Sequence, residues 1–266
     1  MGPSATRDGL STPSALRLPA VGHSRTDRSQ PGVVIARASL PENRLLAALP
    51  PAAWRRLAPD LTRVSLAFGE VVHQPGAAAR HVYFPDECLI SLLVVLEHET
   101  LLEVGLVGRE GAVGAGAALG NPTAPVRALV QREGSALRCS AERFRREMKR
   151  SPALARAVER HTHASMATAM QIAACNRTHL LGPRLARWLL MMSDRGASED
   201  LRLTQGLLAD MLGVQRAGVT VAASALQPRR LIRYSRGRMK ILDPQGLRAT
   251  ACSCYEVIRR LLDGAR

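Results

Sequence analysis

The spacing of apolar positions changes along the chain, and each spacing predicts a different kind of element. Between Thr62 and about Cys139 short runs of Val, Leu, Ile and aromatic residues are broken by Gly, Pro and Asp. The runs LTRVSLAF, EVVHQ, HVYFP, LISLLVVLE, LLEVGLV, VRALVQ and SALRCS recur at the intervals of a β sandwich or barrel. Turns are expected at Phe68-Gly69-Glu70, Pro75-Gly76 and Pro85-Asp86. Ahead of them, PENRLLAALPPAAWRRLAPDL predicts a short helix over 43–49 and a second from Pro51 carrying Trp54 and Leu57. Pro51 suits a first helical turn, where its missing amide costs nothing.

From Ala141 the period is helical. Ser151 is a suitable N-cap with Pro152 behind it, and a helix of roughly 24 residues, about 36 Å long, is predicted to about Asn176. Leu154, Val158, His161, Ser165, Thr168 and Ile172 fall near one face, and small alanines fill much of the rest. Such a helix is long enough to pair with a copy of itself; the alternative is packing on its own barrel alone. Gly182-Pro183 is expected to break the helix before RLARWLLMMSDR, in which Leu185, Trp188, Leu189 and Met192 make one side.

Residues 204–226, TQGLLADMLGVQRAGVTVAASAL, carry the spacing of two short helices crossing at a tight turn. The fifth residue from Gln205 is the small Ala209, where the helices approach, and the ninth is Gly213, where the turn wants positive φ. Leu208, Leu212, Val214, Val219 and Ala222 must face inward. Gln215, Arg216 and Thr220 then sit on the exposed N-terminal half of the second helix, the part that meets base edges. Arg can donate two bonds to guanine, and Gln can pair with adenine. A helical hairpin in some other core is the alternative. Downstream, LIRYSRGRMKIL predicts strands over 231–234 and 239–242 around Arg236-Gly237, a basic wing. The expected DNA-contacting residues are Thr204, Gln205, Gln215, Arg216, Gly218, Thr220, Arg238 and Lys240.

Charge agrees with that placement. The 266 residues carry a formal net charge of +15 and a pI near 11.2, which points toward a polyanion without naming one. Arg216, Arg229, Arg230, Arg233, Arg236, Arg238 and Lys240 cluster around the helix and wing, with only Asp210 and Asp243 close by in sequence. Residues 1–36, rich in Ser, Pro, Gly and Arg, are expected to be a disordered tail. A β domain over 37–150, a helix able to pair with its copy over 151–178 and a DNA-binding domain over 179–266 complete the expected organisation.

Five cysteines, Cys88, Cys139, Cys175, Cys252 and Cys254, are scattered and odd in number, as suits reduced thiols in a cytoplasmic protein. Cys252 and Cys254 could share a soft ion, but neither a His nor a third Cys stands nearby in sequence; two ordinary thiols are the competing reading. His161, His163 and Met166 lack a carboxylate or cysteine cluster, so solvated or interfacial histidines are expected rather than a haem or metal site. No apolar run reaches the roughly 20 residues of a membrane span.

The order of helix, β barrel, long helix and winged helix-turn-helix resembles the Crp/Fnr family of bacterial transcription regulators. The echoes are the turns at 68–70 and 75–76, HVYFP, GREGAVGAG at 108–116 and LGVQRAGVT. The resemblance implies an α+β protein with a cyclic-nucleotide-binding-like jelly roll, a homodimer through the long helix, binding to double-stranded promoter DNA, and RNA polymerase as a further partner. It also exposes departures. Cyclic-AMP-binding members place an Arg-Ser pair shortly before a Val-Arg-Ala strand; here Asn121-Pro122-Thr123-Ala124-Pro125 precedes Val126-Arg127-Ala128. Pro122 supplies neither charge nor amide donor, so cyclic AMP is not the expected ligand. Glu110 and the amides of 111–116 are weaker candidates for a ligand contact. No cysteine precedes Cys88, against the iron–sulfur cluster of oxygen-sensing members. No cofactor is therefore expected, and the effector stays unknown. Ala217 and Val221 replace a base-reading Glu and Arg of the family prototype, while Arg216 is retained.

Two other functions compete. A jelly-roll metalloenzyme would need His-x-His and a following Glu on adjacent strands, whereas His73, His81 and His98 are isolated in sequence. A nonspecific chromosome-coating protein would share the charge but not require Arg216 on an ordered helix.

Overall fold

The computed structural model describes residues 41–97, 100–196 and 200–264, with backbone only for Asp200. The expected tail and His98 lie outside them. Two helices, α1 (Arg44–Ala47) and α2 (Pro51–Leu57), lead into seven strands: β1 (Thr62–Leu66), β2 (Val71–His73), β3 (His81–Pro85), β4 (Leu89–Val95), β5 (Leu101–Val107), β6 (Arg127–Arg132) and β7 (Gly134–Ser140). Every predicted run became a strand. They form two antiparallel sheets, ordered β1-β7-β3 and β2-β6-β4-β5, a jelly-roll-like arrangement. Inward residues of both sheets, among them Leu66, Tyr83, Ile90, Val107, Val130 and Ala136, form one core between them. Gly69 and Gly76 adopt φ of 80° and 74° at the predicted turns, a region open to Gly at no steric cost.

Helix α3 (Ala141–Arg150) is capped by Ser140, whose Oγ accepts from Arg143 N. The long helix α4 runs Pro152–Thr178, 27 residues, with Ser151 Oγ accepting from Leu154 N at 3.3 Å. Its predicted apolar face does not meet solvent. Leu154, Ala157 and Val158 pack with α1, α2, α3 and β3, and Ile172 lies 3% exposed in the core beneath the C-terminal helices. A different stripe is exposed, marked by Met166 and Met170 at 53% and 63%.

After α4 come α5 (Leu181–Gly196), β8 (Asp200–Arg202), α6 (Gln205–Leu212), α7 (Arg216–Leu226), β9 (Ile232–Ser235), β10 (Arg238–Ile241), α8 (Pro244–Thr250) and α9 (Cys254–Asp263). The break falls at His179 and Leu180, earlier than Gly182-Pro183. Pro183 instead sits in the first turn of α5, where no intrahelical partner for its amide exists. The largest core joins the outer leucines of β4 and β5 to Trp188, Leu189 and Met192 of α5 and to α6, α7 and the wing. At that junction Glu103 of β5 is buried, accepting from Trp188 Nε1 at 2.9 Å and bonding Ser91 Oγ at 2.6 Å. No helix among the described residues is long and apolar enough to cross a membrane.

Candidate nucleic-acid interface

The sequence of α6 and α7 explains their geometry. Thr204 Oγ1 accepts from Leu207 N at 3.1 Å and caps α6, satisfying one of its orphan amides. At the far end Gly213 is left-handed, φ 62° and ψ 46°. Val214 N–H reaches back to the Ala209 carbonyl at 3.0 Å and Gly213 N–H to that of Asp210 at 3.2 Å, the paired bonds that close such a helix end. A Cβ on Gly213 would lie 2.6 Å from Leu102 Cδ1 of the barrel, so two constraints demand glycine there. Leu208, Ala209, Leu212, Val219 and Ala222 are buried, as the pattern required, and Val214 packs at the margin.

That packing turns the other side of α7 outward. Gln215 is the N-cap residue but makes no side-chain cap bond, so its amide is not spent on the helix. Gln215, Arg216, Thr220 and Val221 are exposed. Arg216 Nε donates to Gln205 Oε1 at 3.3 Å, linking the two helices, and Thr220 Oγ1 donates to the Arg216 carbonyl. Gly218 is half-buried, and a Cβ there would stand 3.2 Å from Leu181 Cδ2; it lies against α5 rather than on the outer face. Val221, 71% exposed, is a further candidate that the sequence alone marks only as a departure from the family prototype. An exposed large apolar side chain on an otherwise polar helix face is the signal that singles it out.

The wing is three-stranded, ordered β8-β10-β9. Arg236 and Gly237 have φ of 48° and 75°, the pair of positive values that a two-residue hairpin turn wants. Met239 and Ile241 point inward, so Arg238 and Lys240 point out, by the two-residue period of a strand. Tyr234 OH donates to the Leu203 carbonyl at 3.0 Å and ties the wing to the start of α6. Arg229, Arg230, Arg233 and Arg236 are exposed beside them. The strand β8 itself was not foreseen: three residues are too short for an alternating pattern to register.

In the barrel the candidate ligand-contacting residues are engaged internally. Glu110 accepts from Arg195 Nε of α5 at 2.9 Å and from Gly108 N at 3.1 Å, so it anchors α5 to the barrel rather than offering an open polar contact. Among the amides of 111–116, Gly111 donates to the Gly108 carbonyl, Ala112 to His161 Nε2 and Val113 to the Tyr83 carbonyl. Burial lowers the pKa of His161, favouring the neutral imidazole, whose Nε2 also lies 3.0 Å from the Ala112 carbonyl. Asn121 Oδ1 accepts from Thr123 N and Oγ1, and the Pro122 carbonyl from Ala79 N. His73 and His81 are not isolated, since both rings stack edgewise around Tyr83 with centroids 5.7 and 6.2 Å away.

The C-terminal thiols are also not alone. Cys175 and His179 from the end of α4 meet Cys252 and Cys254, with all four ligand atoms within 4.8 Å of one another. The expectation that neither a His nor a third Cys stands near is corrected by the packing of α4 on α9.

A jelly-roll-like domain, a long helix and a winged helix-turn-helix with a basic outer face define a class, that of transcription regulators with a helix-turn-helix DNA-binding domain. Residues 183–250 match the family model described as the Crp-like helix-turn-helix domain. No curated protein matches the chain by sequence. Similar solved structures include FixK2 from Bradyrhizobium japonicum, 16% identical over 73% of this chain and 98% of that one, with a TM-score of 0.63. A CRP/FNR-family transcriptional regulator from Thermus thermophilus is 25% identical over 71% and 97%, TM-score 0.60. The c-di-GMP responsive global regulator CLP from Xanthomonas campestris is 17% identical over 73% and 100%, TM-score 0.61. The chain thus carries a Crp-like helix-turn-helix at 183–250 and shares the fold of Crp/Fnr-family regulators.

Proposed function

We propose that this protein is a sequence-specific regulator that binds double-stranded promoter DNA as a homodimer, with α7 in the major groove and the wing on the backbone. The observation that carries the reading is the outward face of α7, where Gln215, Arg216, Thr220 and Val221 project from a helix whose other side is packed. Arg216 suits a guanine edge and Val221 the methyl group of thymine. Thr204, Gln205, Arg238 and Lys240 are exposed or at the margin beside it and supply phosphate contacts, which position without specifying. Gly218 contributes by letting α7 lie close to α5.

The dimer forms through the solvent-facing stripe of α4. Glu159, His163, Met166, Met170, Ala173 and Arg177 are exposed and recur at intervals of four, three, four, three and four, the period of a two-helix seam. Pro122 in place of a phosphate-binding arginine, and a barrel interior filled by its own side chains, support independence from cyclic AMP. A hundredfold excess of a ligand over its Kd would stabilise the fold by about 2.7 kcal/mol; cyclic AMP or cyclic GMP at millimolar concentration should leave the melting temperature unmoved. A saturable rise would show a phosphate site elsewhere in the barrel. RNA polymerase is the natural further partner of such a regulator, which performs no catalysis and works in the cytoplasm.

The function is tested by competition. Operator DNA selected from a random pool should resist displacement by random duplex at about a thousandfold or greater excess. Equal displacement by both would favour a nonspecific DNA-coating protein instead.

A further inference from the structure

We propose that Cys175, His179, Cys252 and Cys254 together hold one thiophilic divalent ion, Zn²⁺ above all, through three thiolates and an imidazole. Cys175 lies in the last turn of α4 and His179 is its C-cap residue. Cys252 precedes α9 and Cys254 opens it. Cys175 Sγ lies 3.5 Å from Cys252 Sγ, and Cys254 Sγ 3.6 Å from His179 Nδ1. With bonds of about 2.3 Å, two sulfurs on one tetrahedral zinc stand about 3.8 Å apart, so the four atoms already sit close to the corners of such a site. Three thiolates and an imidazole make a closed coordination set, the composition of structural rather than catalytic zinc. Soft donors of this kind disfavour Mg²⁺ and Ca²⁺.

The surroundings point the same way. As three S–Zn bonds form, the three thiol protons leave to solvent, and a 2+ ion with three thiolates carries a net charge of −1. Two buried guanidinium groups, Arg184 and Arg187, act electrostatically on Cys175 and Cys252. Each keeps an Nε without a hydrogen-bond partner, a costly arrangement beside neutral thiols and a compensating one beside an anionic centre. Gln171 Nε2 donates to Cys254 Sγ at 3.0 Å, an orienting bond of the kind metal ligands receive. Beside thiols packed merely as small hydrophobes, Arg184 would keep only the Leu212 carbonyl and Arg187 the Met191 sulfur and the distant Glu103 carboxyl as partners among the described residues. The ion would tie the end of α4 to the chain beyond the wing, across the break at His179 and Leu180. It would thereby hold the long helix and the helices α5 to α9 at one angle.

The test uses the full chain, purified under reducing conditions, exposed to excess Zn²⁺ and then passed through a gel-filtration column. One zinc per chain should remain. Co²⁺ in its place should show thiolate-to-metal charge-transfer bands and the intense visible absorption of a tetrahedral site. Cys254→Ser and the less buried His179→Ala should each abolish stoichiometric retention or the tetrahedral spectrum while circular dichroism still reports a folded chain. Absence of retained zinc in the wild-type chain would overturn the proposal, as would a cobalt spectrum unchanged in both variants. A Cys175–Cys252 disulfide found by mass under the same reducing conditions would overturn it too. None of these readouts involves DNA, so the metal site and the DNA-binding reading stand or fall separately.

Discussion

The winged helix-turn-helix and the junction between β5 and α5 both depend on polar side chains, but they use them in opposite ways. On α7 and the wing, arginines, a lysine and a glutamine are held out in solvent by an apolar underside. At the junction, Glu103 and Trp188, and Glu110 and Arg195, are paired with one another and withdrawn from water. A surface meant for a polyanion must keep its donors available, whereas a charge sealed in a core must be satisfied internally or it costs several kcal/mol. The contrast separates residues left available to a partner from residues that fix how the parts are joined.

The largest effect is expected on the outward side of this comparison. In the proposed dimer, Met170→Glu places two like charges across the α4 seam and should give a monomer by sedimentation. Operator affinity should fall about a hundredfold or more as the second half-site loses its partner. A variant that stays dimeric would move the seam off this stripe.

The junction supplies the next effect. Burial raises the Glu103 carboxyl to about 7 from 4.5, so the folded protein keeps a proton that the unfolded chain gives up. Its contribution to stability is then full below about pH 4.5 and is lost as pH rises through about 7, by up to about 3 kcal/mol. Glu103→Gln retains an acceptor for Trp188 and a partner for Ser91 while removing the titration. The fall in unfolding free energy between about pH 5 and pH 8 should shrink accordingly. An unchanged slope would mean that the carboxyl is ionised in the core.

Arg216→Ala should cost about 1 to 3 kcal/mol at the preferred operator and relax choice at one base pair in each half-site. Arg238→Ala or Lys240→Ala should weaken all sequences alike, and make log K less steep in log salt by about 0.9 for each phosphate no longer neutralised. A change in base preference from either wing variant would erase the division between reading and positioning.

These two regions also differed in how openly the sequence declared them. The helix-turn-helix was legible because its demands are local: Ala209, Gly213 and the inward leucines lie within one short stretch, and each position has a physical requirement of its own. The seven barrel strands were legible for the same reason, from alternation broken by turn residues. Which face of α4 is covered was not legible because the helix carries two stripes; Leu154, Val158 and Ile172 serve its own cores, and only tertiary packing shows that the stripe of Met166 and Met170 is left exposed. Glu110 and Arg195 are 85 residues apart, and Cys175 and Cys252 are 77. No spacing rule reaches that far, so the junction pairs and the cysteine cluster became visible only once the helices were docked.

The central claim is that the outer face of α7 reads sequence, and selection of bound duplexes from a random pool tests it most directly. The account predicts an enriched two-fold symmetric site with half-sites about one or two helical turns apart, and a single position in each half-site that loses its preference when the pool is selected with Arg216→Ala. A pool that emerges without an enriched motif, or a motif unaltered by that substitution, would contradict it.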